Sequence, residues 1–111
     1  MNYTHKQAAE GRWFKFSIFE QMANIGSEVE RTIIWREKNK DYSEKAFFRA
    51  LELIDLTLAD KKNKTRGRLK ELARVREMLC DYFMGDNQWS STDDLWRKYF
   101  YPFNWAARSN H

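Results

Sequence analysis

The chain has 111 residues, of which 42% are hydrophobic and 16% aromatic, enough for one apolar core and too much for a disordered segment of low hydrophobicity. Four glycines and one proline are too few for an all-β domain with frequent tight turns, and one cysteine with two histidines supplies neither an internal disulfide nor a thiolate zinc site. The net charge of +4 is concentrated: residues 61–80 carry +6, against +2 for 1–40, −3 for 41–60 and −1 for 81–111.

Residues 1–12 read as a flexible lead and 13–111 as one helical domain. A first helix is expected from about Phe14 to Lys40, because Phe14, Ile18, Met22, Ile25, Val29 and Ile33 recur at spacings of three and four and share one face. Gly26 borders that face, where a glycine costs about 1 kcal/mol relative to alanine, so its place there points to a close helix crossing. A second helix is expected from Asp41, with Asp41 and Glu44 as a capping box. Its stripe is Phe47, Leu51, Ile54 and Leu58, flanked by Ala46, Ala50, Leu53 and Thr57; so wide an apolar arc makes it the expected central helix.

The segment DKKNKTR (60–66) has no apolar residue and reads as a connection. A third helix follows over about Arg68 to Met84, with Leu69, Leu72, Val75, Leu79, Tyr82 and Phe83 inward and Gly85 as its stop. The fourth starts at Ser91 or Thr92 and turns Leu95, Trp96, Tyr99, Phe100, Phe103, Ala106 and Ala107 to one side. Pro102 removes a backbone donor there and is expected to kink it. The fold class is therefore all-α: a single-domain antiparallel four-helix bundle. With no signal-peptide core and no apolar run of membrane-spanning length, a cytoplasmic protein is expected.

The usual phosphate-loop, dinucleotide, zinc-protease and serine-hydrolase signatures are missing, and no cofactor, metal or catalytic residue is expected. His5 and His111 sit at the chain ends, and Cys80 beside the core arc reads as a small buried hydrophobe. Polar candidates remain. Asn24, Glu28, Arg31 and Trp35 make a second stripe on the first helix, either a ligand groove or local pairing. Arg76 falls inside the core arc of the third helix, where a charge needs a carboxylate from Glu52, Asp55 or Glu28; such a set is a structural ion-pair network or an acid–base or phosphate site.

Tyr101 and Trp105, four apart, project away from the core stripe of the last helix, as Trp35 does on the first, and suggest a protein interface. Lys61, Lys62, Lys64, Arg66, Arg68 and Lys70 put six cations in ten residues with no acid. That run is a solvated loop or an anion site giving a weak, sequence-indifferent nucleic-acid contact; no stacking aromatics interleave with it.

The segments IGSEVERTIIWREK (25–38), RALELIDLT (49–57), LKELARVREMLCDYF (69–83), STDDLW (91–96) and NWAAR (104–108) resemble a small prokaryotic all-helical family, which implies the fold and no particular activity. Over residues 14–107 the topology also resembles the HEPN-type bundles, some of them ribonucleases. Their motif, Arg followed four to six residues later by His, is absent: Arg108 stands three positions before His111. The expected function is a non-enzymatic binding or adaptor module that dimerises or docks on a partner protein. The alternative is a HEPN-like RNA- or nucleotide-acting protein using Glu28, Arg31, Glu52 and Arg76.

Overall fold

The computed structural model describes residues 11–109. The lead therefore lies outside the described residues up to position 10, as do His5 and His111. Helix α1 spans Ile18–Trp35, α2 Lys40–Ala59, α3 Arg66–Met84 and α4 Asp93–Ser109, with a short 3-10 turn at Lys61–Asn63; no strand occurs among the described residues.

The helix starts differ from the expected ones, each for a local reason. The chain makes tight turns at 12–16, and Ser17 caps α1: its hydroxyl accepts from the Glu20 amide at 3.1 Å while the Glu20 carboxylate accepts from the Ser17 amide at 2.9 Å. Phe14 keeps the four-residue spacing but precedes the helix and is exposed. At the other end the Lys38 and Asn39 amides both donate to the Trp35 carbonyl, reversing the chain before Lys40. Asn39 rather than Asp41 caps α2, its side chain accepting from the Tyr42 amide at 3.3 Å; Asp41 sits in the first turn, where its charge faces the helix dipole. Thr65 caps α3, which begins at Arg66, two residues before its expected start, and Gly85 ends it. Of the two starts expected for α4, Thr92 caps the Leu95 amide, whereas Ser91 is buried.

The core joins Trp13, Met22, Ile25, Val29 and Ile33 to Phe47, Ala50, Ile54 and Leu56 of α2, Leu72, Val75 and Leu79 of α3, and Trp96 and Phe100 of α4. The central helix is α1, not α2. It packs along α2 on one side and α4 on the other, while α3 lies lightly on α2. The paired residues run in opposite order: Gln21 meets Asp60, Glu28 faces Arg49, and the Thr32 carbonyl accepts from the Ser43 hydroxyl at 2.7 Å. Gly26 is the expected close crossing: a β-carbon on it would stand 2.8 Å from Phe100 Cβ.

The stretch 60–66 is more than a connection. Asp60 and Asn63 are buried in a hydrogen-bonded junction with Gln21, Thr57 and Trp13. Gln21 Nε2 donates to Asp60 Oδ2 at 2.8 Å and to the Trp13 carbonyl at 3.0 Å. Asn63 Nδ2 donates to Gln21 Oε1 at 2.9 Å and to the Thr57 carbonyl at 3.0 Å, and the Trp13 indole N–H donates to Thr57 Oγ1 at 3.0 Å. Lys62 ties in from outside, donating to Asp60 and, at 3.0 Å, to the Phe14 carbonyl. Each bond spares a buried polar group its desolvation cost, so the residues before α1 are fastened to the α2–α3 corner.

Candidate functional site

Because Gly26 lets Phe100 sit against the α1 backbone, Trp96 and Phe100 are buried and the next turn of α4 lies along the outside of α1. A groove of about 440 Å³ opens there, lined by Ala23, Gly26, Arg31, Trp96, Tyr101 and Asn104 among others. On its rim Arg97 holds Glu30 through two hydrogen bonds of 2.9 Å. Tyr101, which lines the groove, and Trp105, one turn further along α4, are 67% and 63% exposed, so two large rings stand in solvent on this helix. The Trp96 indole N–H is buried with no acceptor among the described residues.

The polar stripe on α1 divides. Asn24 donates to the Glu20 carbonyl at 2.8 Å, a bond within the helix. Glu28 is only 6% exposed; its Oε2 is 3.0 Å from Arg31 Nη1 and 3.6 Å from Arg49 Nη1, and its Oε1 has no partner among the described residues. Trp35 packs edge-on against Tyr42 at 5.4 Å, and Lys38 stands 6.0 Å over its ring.

Arg76 binds Asp55, one of its expected partners, with Nε 2.8 Å from Oδ1 and Nη2 3.2 Å from Oδ2. It is not inside the core: the two side chains are 37% and 45% exposed. The light packing of α3 on α2 leaves that edge of the apolar arc open to water. Burial raises the Glu52 carboxyl above its usual range; Arg49 lowers it and the neighbouring Asp55 charge raises it. The set Glu28, Arg31, Glu52 and Arg76 is thus split: Glu28 and Arg31 pair on α1, whereas Arg76 binds Asp55 across the α2–α3 seam and Glu52 lies on α2 near Arg49.

A polar centre not singled out by the sequence joins three helices. Arg36 holds Asp93 through bonds of 2.9 and 2.7 Å, and Tyr82 Oη donates to Asp93 Oδ1 at 2.5 Å. Burial alone would raise the Asp93 carboxyl, but the bonds from Tyr82 and Arg36 outweigh it and hold it below the usual range. The Arg36 guanidinium also lies 5.7 and 5.8 Å from the Tyr82 and Phe83 ring centres. Beside it a cavity of about 240 Å³ is lined by Arg36, Lys40, Ser43, Phe47, Phe48 and Phe83 among others. Asp93 and Arg36 look like ordinary surface residues and Tyr82 like one more inward ring of its helix; no local spacing brings the three together.

The basic run also divides. Lys61, Lys64, Arg66 and Lys70 are exposed, whereas Lys62 is engaged by Asp60 and the Phe14 carbonyl, and half-buried Arg68 reaches Asn63 Oδ1 at 3.5 Å. Cys80 is half-buried rather than buried, and burial pushes its thiol up, away from the thiolate a nucleophile needs. Among the described residues no group of three or more His, Cys, Asp or Glu is placed to hold a metal, and no helix is long and apolar enough to cross a membrane. No protein-family model, curated protein or solved structure matches this chain.

Proposed function

We propose that the chain is an antiparallel four-helix bundle, bent at Pro102 in its last helix, that works as a non-enzymatic binding or adaptor module through the α1–α4 face. The observation that carries this reading is the exposure of Tyr101 and Trp105 beside a groove wide enough for a large side chain. Tyr and Trp dominate binding hot spots because each buries a large, stiff surface at small entropic cost. The occupant is a second copy of this chain. A twofold interface sets one patch against itself and must not repel itself; here Arg31 is matched by Glu28 and Arg97 by Glu30 within the chain. Trp105 or Tyr101 of each copy then enters the groove of the other. Sedimentation of the intact protein and of Trp105→Ala tests this reading. A dimer lost in the variant supports it, and a monomer at every concentration refutes it.

The RNA- or nucleotide-acting alternative has one observation in its favour, the buried Glu28 Oε1 without a donor. Isothermal titration with nucleotides, repeated on Glu28→Gln, separates it: heat that vanishes in the variant favours it.

A further inference from the structure

We propose that the end of the molecule formed by residues 12–19 and 61–70 is a docking surface for single-stranded nucleic acid, held through its phosphodiester backbone. The surface rests on residues other than those of the α1–α4 groove.

In the sequence the cations of 61–70 have no aromatic residue among them and stand some fifty positions from Arg12 and Lys15. Folding removes both separations. Lys62 donates to the Phe14 carbonyl at 3.0 Å, and the Trp13 indole is anchored on Thr57 at the end of α2, so the turn 12–16 is fastened beside the basic run. Arg12, Lys15, Lys61, Lys64, Arg66 and Lys70 are all exposed. The acids beside them are already committed, Asp60 to Lys62 and Gln21, and Glu20 to the cap of α1. The excess charge therefore faces solvent without internal compensation from those two carboxylates. Such a concentration of cations recruits an anion that releases counterions on binding.

Two further features select the anion. Phe14 and Phe19 are 37% and 40% exposed at this end, offering ring faces to unstacked bases. The first turn of α3 carries Gly67, around which nothing lies within 4 Å of where a β-carbon would stand. The Thr65 hydroxyl takes the Arg68 amide of that turn, which leaves the Arg66 and Gly67 amides for a phosphate oxygen, with the Arg66 guanidinium beside them. A single strand presents phosphates and bases alternately, and this surface presents cations with amides and rings. An anionic membrane would need a continuous apolar face to insert, whereas these rings stand singly among the charges.

The test is the fluorescence anisotropy of a dye-labelled oligouridine titrated with the full chain at several salt concentrations. The slope of log affinity against log salt should be about −0.7 per phosphate neutralised, hence roughly −3 to −4 for four to six contacts. The double variant Arg12→Gln, Lys15→Gln should flatten it by about 1.4, as should Lys64→Gln with Arg66→Gln. Arg12→Lys with Lys15→Arg should restore it, which separates lost charge from a lost fold. Phe14→Ser should weaken binding roughly tenfold with the slope unchanged. Absence of binding at low salt overturns the proposal, as does a slope indifferent to the Arg12 and Lys15 change. Binding to phosphatidylserine vesicles in place of the oligonucleotide overturns it in favour of a membrane surface.

Discussion

The Phe100 side chain lies against the bare Cα of Gly26, so close that an alanine methyl there would stand 2.8 Å from Phe100 Cβ and 2.9 Å from Cγ. Alanine gains about 1 kcal/mol of helix propensity over glycine, but overpacking a tight crossing costs about 1–3 kcal/mol. Gly26→Ala should therefore lower the melting temperature, and Gly26→Val should lower it further. A variant melting above the wild type would mean that α1 and α4 do not cross this closely.

Asp60 should make stability depend on pH in the acid range. Burial tends to raise its carboxyl, yet hydrogen bonds from Lys62 and Gln21 and the Lys62 amide win and hold it below the usual value. A carboxylate depressed in the fold contributes stability that is complete above the unfolded value near about pH 4, and that is lost as pH falls through the folded value. Asp60→Asn should cost about 1–3 kcal/mol at neutral pH, and the gap to wild type should narrow as pH falls through the folded value. Urea midpoints measured across that range check the sign; a gap that widens toward acid contradicts it.

Replacing Arg76 with Met should cost less than about 1 kcal/mol, because both partners of the Arg76–Asp55 pair are more than a third exposed and water screens them. A loss of about 3 kcal/mol in the urea midpoint would instead indicate a charge stranded in the core.

Four helices were legible because periods of three and four survive in each, and Gly26 stood out as a glycine in a place that disfavours one. Their starts were harder to read. Phe14 continues the spacing of Ile18 and Met22, so the Ser17 capping box was hidden inside an apolar run, and Asn39 and Asp41 compete for one helix start. The junction of Gln21, Asp60 and Asn63 was invisible for a different reason: its members are polar, and only partners 39 and 42 positions away bury them. The signal available was Asp60 two residues before Lys62, an aspartate whose side chain accepts from that amide and turns the chain. Arg76 was placed correctly on its helix but not in its surroundings, since an angle on a helix does not say whether a neighbour covers it.

The self-association reading stands or falls on sedimentation equilibrium of the full chain over a wide concentration range, beside the double variant Tyr101→Ser, Trp105→Ser. Both side chains are exposed, so the variant should keep its helical circular dichroism and melting temperature. The native chain should form a concentration-dependent dimer, and the variant should stay a monomer at every concentration. A native chain that is monomeric throughout, or a dimer that survives loss of both rings, would contradict it.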